Sequence, residues 1–127
     1  MQGNIAGGRA RPEGKLEIFS WLFMRVSGLL LVFLAIGHLV IMHLLNNIDM
    51  IDYDFVAKRF ATPFWRLYDL LMLVLAMLHG TNGIRTLIED YVQAPGWRLL
   101  SLSTLYVISF VLVILGAFIL LTFQPVK

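Results

Sequence analysis

The chain contains no cysteine. That excludes disulfides, an iron–sulfur cluster held by this chain, thiol catalysis and covalent attachment of a c-type haem. Charge is scarce as well. Only 14% of the 127 residues are Asp, Glu, Lys or Arg, against about 25% in an ordinary soluble domain. The formal charge of +2 is too small and too scattered for a nucleic-acid binder. No flavin- or dinucleotide-binding glycine fingerprint occurs, and no Pro/Ser linker, low-complexity tract or internal repeat is visible. Met1 to Glu17 is polar and Gly-rich and lacks the apolar stretch of a secretory signal. Arg9 and Arg11 are weak transit-peptide signals, because Glu13 and Glu17 follow closely.

What is abundant is apolar: 59% of residues, with a mean hydropathy of +0.81. Three long apolar runs cover about 18–45, 64–88 and 99–123. Each exceeds the ~20 residues that cross a bilayer as a helix. Backbone groups in lipid must be satisfied internally, so the expected fold is an all-α membrane protein with three transmembrane helices. The expected organisation is a polar cytoplasmic tail, 1–17, and a transmembrane domain, 18–127, with an interfacial helix starting near Glu13. Asn46 to Thr62 reads as a polar connection with an amphipathic turn around Phe55 to Phe60, and Asp90 to Arg98 as a short turn. Gln124-Pro125 ends the third helix. Three spans put Arg9, Arg11, Lys15, Arg25, Arg85 and Arg98 on one side, and Lys58, Arg59, Arg66 and Lys127 on the other. The positive-inside rule then places the N-terminus in the cytoplasm, as in a multi-pass protein of a bacterial cytoplasmic (inner) membrane. Three helices are a poor shell for a cofactor, so a partner membrane chain is expected.

Ionisable residues inside a membrane are costly and by default functional. His79 lies ~16 Å from the cytoplasmic end of the second span at helical rise, with Gly80 and Gly83 beside it. Small neighbours let a flat macrocycle approach, and an imidazole can ligate haem iron. Equally, such a His can bond a neighbouring helix, with the glycines serving close packing. Asp90 follows at an offset of eleven, close to three turns, and so falls nearly on the same face. Asp90 and Tyr91 at the membrane surface suit a quinone: a phenol can donate to its carbonyl and a carboxylate can relay a proton. The ordinary alternative is a helix end at the headgroups, where Tyr is enriched.

The run from His79-Gly80-Thr81-Asn82-Gly83-Ile84-Arg85 to Asp90-Tyr91 resembles the small hydrophobic membrane-anchor subunits of succinate dehydrogenase (respiratory complex II), specifically the smaller of its two cytochrome b anchors. Trp21-Leu22-Phe23-Met24-Arg25-Val26-Ser27-Gly28 resembles the start of that family's first helix. The resemblance runs from Phe19 to Phe123. It implies that His79 is an axial ligand of haem b, with the second axial His on the larger anchor. It implies that Asp90 and Tyr91 lie at the quinone site beside the iron–sulfur subunit. The partners implied are a second membrane-anchor subunit, an iron–sulfur subunit and a flavoprotein subunit, in a complex serving the respiratory chain and the tricarboxylic acid cycle. The chain itself would not bind succinate.

Within that frame Arg25, one turn into the first span, suits a haem propionate or a snorkelling anchor. Ser27 would assist there or contact the quinone. Arg85 reads as snorkelling. His38 lies ~30 Å from the cytoplasmic end of its span at helical rise, too far from the depth of His79 to share one iron. The resemblance includes a two-haem class, and His38 fits the far haem, with Gly37 allowing close approach. A core or interfacial His is the alternative. His43 reads as interfacial. Trp21, Trp65 and Trp97 read as aromatic-belt anchors, and Asp69 as a local partner of Arg66. Haem b is thus expected once or twice, and the quinone is menaquinone or ubiquinone. The competing readings are a fumarate reductase anchor and a small transport or assembly subunit with no redox cofactor.

Overall fold

The computed structural model describes residues 14–124. Four α-helices follow in order: α1 Lys15–Leu39, α2 Tyr53–Ala61, α3 Pro63–Tyr91 and α4 Pro95–Thr122. α1 continues as a π-helical turn over Val40–Leu45, and a single 3-10 turn covers Ile48–Met50. No strand occurs among the described residues. The three expected spans are present, in α1 with its π extension, α3 and α4. The chain is an all-α, multi-pass membrane protein.

Local chemistry explains the boundaries. α3 and α4 each begin at a proline, Pro63 and Pro95, where the missing N–H is no loss and the fixed φ already suits a helix. α2 begins at Asp52, whose Oδ1 accepts from the Phe55 amide at 2.8 Å, a cap worth about 1 kcal/mol. At the π turn Asn46 Nδ2 donates to the Ile41 carbonyl at 2.7 Å, supplying one donor where the ladder ends. The polar connection is thus more ordered than one amphipathic turn, since α2 is a full nine-residue helix. The tail boundary also shifts. Helix already starts at Lys15, inside the expected tail, whereas Glu13 lies outside the described residues. The turn between the last two spans narrows to 92–94.

α3 is the central element, with α1 packed on one side and α4 on another, and α2 folds back against its N-terminal end. Close approaches set these contacts. A methyl group at Gly116 of α4 would lie 2.6 Å from Leu73 Cδ2 of α3. Thr81 Oγ1 of α3 bonds Ser109 Oγ of α4 at 2.8 Å. Small residues and hydroxyl pairs replace a hydrophobic driving force, which lipid does not provide between helices. Among the described residues the buried apolar side chains are Ala57 and Phe60, whereas Ser27, Arg59 and Asp69 are buried and polar. The large apolar side chains of α1 and α4 face outward, toward lipid or a further chain.

Candidate functional site

His79 reaches from α3 toward α1 and lies against Gly28. A methyl group at Gly28 would come within 2.9 Å of His79 Cε1, so a residue with no side chain is what admits the ring. His79 Nδ1 is buried and has no hydrogen-bond partner, whereas Nε2 is not enclosed. Methyl groups at Gly80 and Gly83 would meet nothing within 4 Å, so the helix surface beside His79 is open.

One to two turns from this contact, toward the α1 N-terminus and the α3 C-terminus, lies a cleft of about 710 Å³. Trp21, Met24 and Arg25 of α1 and Asn82, Gly83 and Arg85 of α3 line it. Arg25 stacks on Trp21, with Cζ 3.9 Å from the ring centroid. It forms no ion pair among the described residues. Arg85 Nε bonds Glu89 Oε1 at 2.8 Å, one turn along α3. Two guanidiniums therefore face one cleft, and one of them lacks a carboxylate. Ser27 is not on its wall. It is 2% exposed, and its hydroxyl donates to the Met24 carbonyl at 3.2 Å, which sets it in the α1 packing interface.

Asp90 and Tyr91 end α3, and Tyr91 is 81% exposed. Neither lines the Arg25 cleft, nor a second cleft of about 600 Å³ between α3 and α4 that Thr81, Arg85, Tyr106 and Ser109 line. This chain presents the Asp90–Tyr91 pair outward at one end of the bundle. Arg98 Nη2 donates to the Glu89 carbonyl and fastens the turn behind the pair.

His38 occupies the other end of the α1–α3 interface. Its Nδ1 lies 3.5 Å from Asp69 Oδ1. His38 is level with Asp69 and His79 with Gly28, so the two imidazoles stand ten residues apart on both helices, or ~15 Å at helical rise. Two expectations at this end are corrected. Asp69 does not pair with Arg66. It takes a fork from Arg59 of α2, with Nε to Oδ2 at 3.2 Å and Nη2 to Oδ1 at 2.9 Å. Arg66 instead donates to the carbonyls of Phe60, Leu121 and Phe123, because helix ends leave acceptors that need donors. Nor does Gly37 hold space open beside His38. The Tyr68 hydroxyl fills that space, 2.7 Å from where a methyl at Gly37 would sit, and donates to the Leu34 carbonyl. Trp65 is more than a belt residue: Arg59 Cζ lies 4.3 Å from its ring centroid. His43 sits exposed in the π turn.

Residue-level reading missed Arg59 and the part played by Gly28. The available signal for Arg59 was Asp69 itself, since a carboxylate in an apolar run demands a cation. Among the described residues no three His, Asp or Glu side chains converge on a metal-ion site, so His79 and His38 are lone imidazole donors.

The sequence pattern described as "Succinate dehydrogenase/Fumarate reductase transmembrane subunit" matches residues 8–122. The chain belongs to that family. It is also 36% identical over 76 residues to the succinate dehydrogenase hydrophobic membrane anchor subunit of Archaeoglobus fulgidus, a match covering 59% of this chain and 63% of that relative. As a family member the chain is a membrane anchor by architecture, and His79 with the neighbouring Arg25 cleft, the His38–Asp69–Arg59 cluster and the Asp90–Tyr91 end are places where it departs from a plain apolar bundle.

Proposed function

We propose that this chain is the smaller of two membrane anchors in a succinate:quinone oxidoreductase of the cytoplasmic membrane. It would hold haem b together with a second anchor subunit, and would help form the quinone-reduction site beside an iron–sulfur subunit and a flavoprotein subunit. The observation that carries the reading is His79. It is an imidazole well inside a membrane helix, with one nitrogen buried and unpartnered and the other not enclosed, one to two turns from a cleft that Arg25 and Arg85 line.

The residues fit haem b. His79 supplies one axial nitrogen, open helix surface at Gly80 and Gly83 leaves room for a macrocycle, and Arg25 offers an unpaired cation to a propionate. When bound, haem b supplies one-electron storage between the iron–sulfur subunit and the quinone. Gly28 keeps the His79 ring seated against α1. Tyr91 donates from its phenol to a quinone carbonyl, and Asp90 holds a proton for the reduced quinone at the membrane surface. His38 would serve a second haem nearer the opposite face, since the ~15 Å between the two imidazoles rules out a shared iron. The N-terminus and the Asp90–Tyr91 end would face the cytoplasm.

The test is haem quantitation and reduced-minus-oxidised visible spectra of the complex carrying His79→Ala. The expected result is loss of one haem b, with the anchor still in the membrane. Full haem retention would remove the ligand assignment.

A further inference from the structure

The buried charges at the far end of α1 and α3 are arranged for more than fastening. Asp69 Oδ2 accepts from Arg59 Nε at 3.2 Å, and Oδ1 accepts from Arg59 Nη2 at 2.9 Å. Oδ1 also lies 3.5 Å from His38 Nδ1. That separation is ion-pair range and longer than a hydrogen bond, and Nδ1 has no other acceptor facing it. The χ2 torsion of His is soft, so the contact shortens without moving either helix. Arg59 and Asp69 are both buried, and such a pair needs excellent geometry merely to offset its desolvation. Burying a third polar atom against it adds cost unless that atom gains something.

What His38 gains is a fixed tautomer. A carboxylate facing Nδ1 keeps the ring proton there and leaves a lone pair on Nε2. The side chain is 32% exposed although Nδ1 is sealed, so its exposure belongs to the remainder of the ring, where Nε2 is. Metal-binding histidines characteristically donate their second N–H to a carboxylate, which orients the ring and raises its basicity. We propose that Asp69 is a positioning residue for His38, holding Nε2 toward the far haem and, balanced by Arg59, setting that haem's reduction potential. This rests on the reading of His38 as a ligand.

The chemistry predicts opposite signs for the two partners. Asp69→Asn removes the negative charge behind the ligand, so the far haem becomes easier to reduce. Arg59→Gln removes the cation that tempers Asp69, so the carboxylate acts more strongly on His38 and the same haem becomes harder to reduce. A tenfold change in the reduction equilibrium is about 59 mV for one electron, and shifts of that order are what the titration reads. A purely structural pair would not give shifts of opposite direction.

The experiment is a spectroscopic redox titration of the intact complex, wild type, Asp69→Asn and Arg59→Gln, with haem quantitation beside it. The near haem at His79, ~15 Å away at helical rise, serves as the internal control. Support is a far-haem midpoint raised in Asp69→Asn and lowered in Arg59→Gln with the near haem unmoved. Two haems with an unmoved far midpoint in Asp69→Asn would overturn the role of Asp69 while leaving His38 a ligand. One haem in the wild-type complex, retained in His38→Ala, would overturn the ligand reading itself. Loss of both haems in both variants would show a structural lock and overturn the proposal.

Discussion

Gly28 sits in a regular helix, and its value lies in what it does not carry. A methyl there would lie 2.9 Å from His79 Cε1, inside the range that forces a neighbour to move. Overpacking of this kind costs about 1–3 kcal/mol when the site cannot relax. Here the ring is only partly buried and can shift, so the cost should appear as a misaimed ligand. Gly28→Ala is expected to lower the near-haem content of the purified complex, read by its visible spectrum, with little change in the amount of anchor in the membrane. Gly80→Ala meets nothing in this chain, so any haem loss there reports a group or partner on that face. At the Asp90–Tyr91 end Tyr91→Phe removes a phenol and almost no volume. Quinone reduction is expected to fall while succinate oxidation with an artificial acceptor persists, because on the proposed reading flavin chemistry would belong to another subunit. Equal loss of both activities would make Tyr91 structural. Asp90→Asn should slow turnover more than it weakens quinone affinity. His79 stands out in the sequence as an imidazole inside an apolar run, whereas Asp90 and Tyr91 are singled out by the family resemblance, because spacing alone reads equally as a helix end at the headgroups. Gly28 was readable only as part of a motif, since nothing in a single sequence says which ring will lie against it.

The helices themselves were legible at the level of spans and illegible at the level of who holds whom. Length and hydropathy locate three crossings because lipid penalises every unsatisfied backbone group. The pairing of Asp69 with Arg66, three positions earlier, is what helix geometry suggests when α3 is viewed alone. It does not form, because α2 folds back and brings Arg59 to the carboxylate, while the C-terminal end of α4 brings free carbonyls to Arg66. Arg66 thus joins three elements: the end of α2 at Phe60, the start of α3, and the end of α4 at Leu121 and Phe123. Phe123 adds ring contacts to Tyr53 and Phe60 of α2, with both centroid separations 5.5 Å. Arg66→Gln should therefore lower stability by about 1–3 kcal/mol, because hydrogen bonds from a charged donor to part-buried and exposed carbonyls are lost. Arg66→Lys should recover only part of it, since an ammonium lacks the planar fork that reaches several acceptors at once. Thermal inactivation of the detergent-solubilised complex measures both variants. Equal stability of all three proteins would show that water can replace the guanidinium there.

Taken whole, the molecule has one odd end and one braced end, and their assignment to the two faces of the membrane can be argued from charge. Three spans put the α3–α4 turn on the same side as the N-terminus, and the α1–α2–α3 connection opposite. Six Lys and Arg residues belong to the first side and four to the second. That margin is modest, and it counts Lys and Arg alone, since Asp and Glu contribute little to topology. The positive-inside rule is a rule about Lys and Arg near span ends, so the N-terminus and the Asp90–Tyr91 end are expected in the cytoplasm, where soluble redox partners would dock. Reporter fusions at Asp52 and at Pro95 test this directly. Asp52 should report the outer face and Pro95 the cytoplasm. Opposite faces in the reverse order would keep three spans and put the Asp90–Tyr91 end outside, away from the cytoplasmic iron–sulfur partner that the proposed function needs. The same face for both would mean that α3 does not cross, and the bundle as described would be wrong.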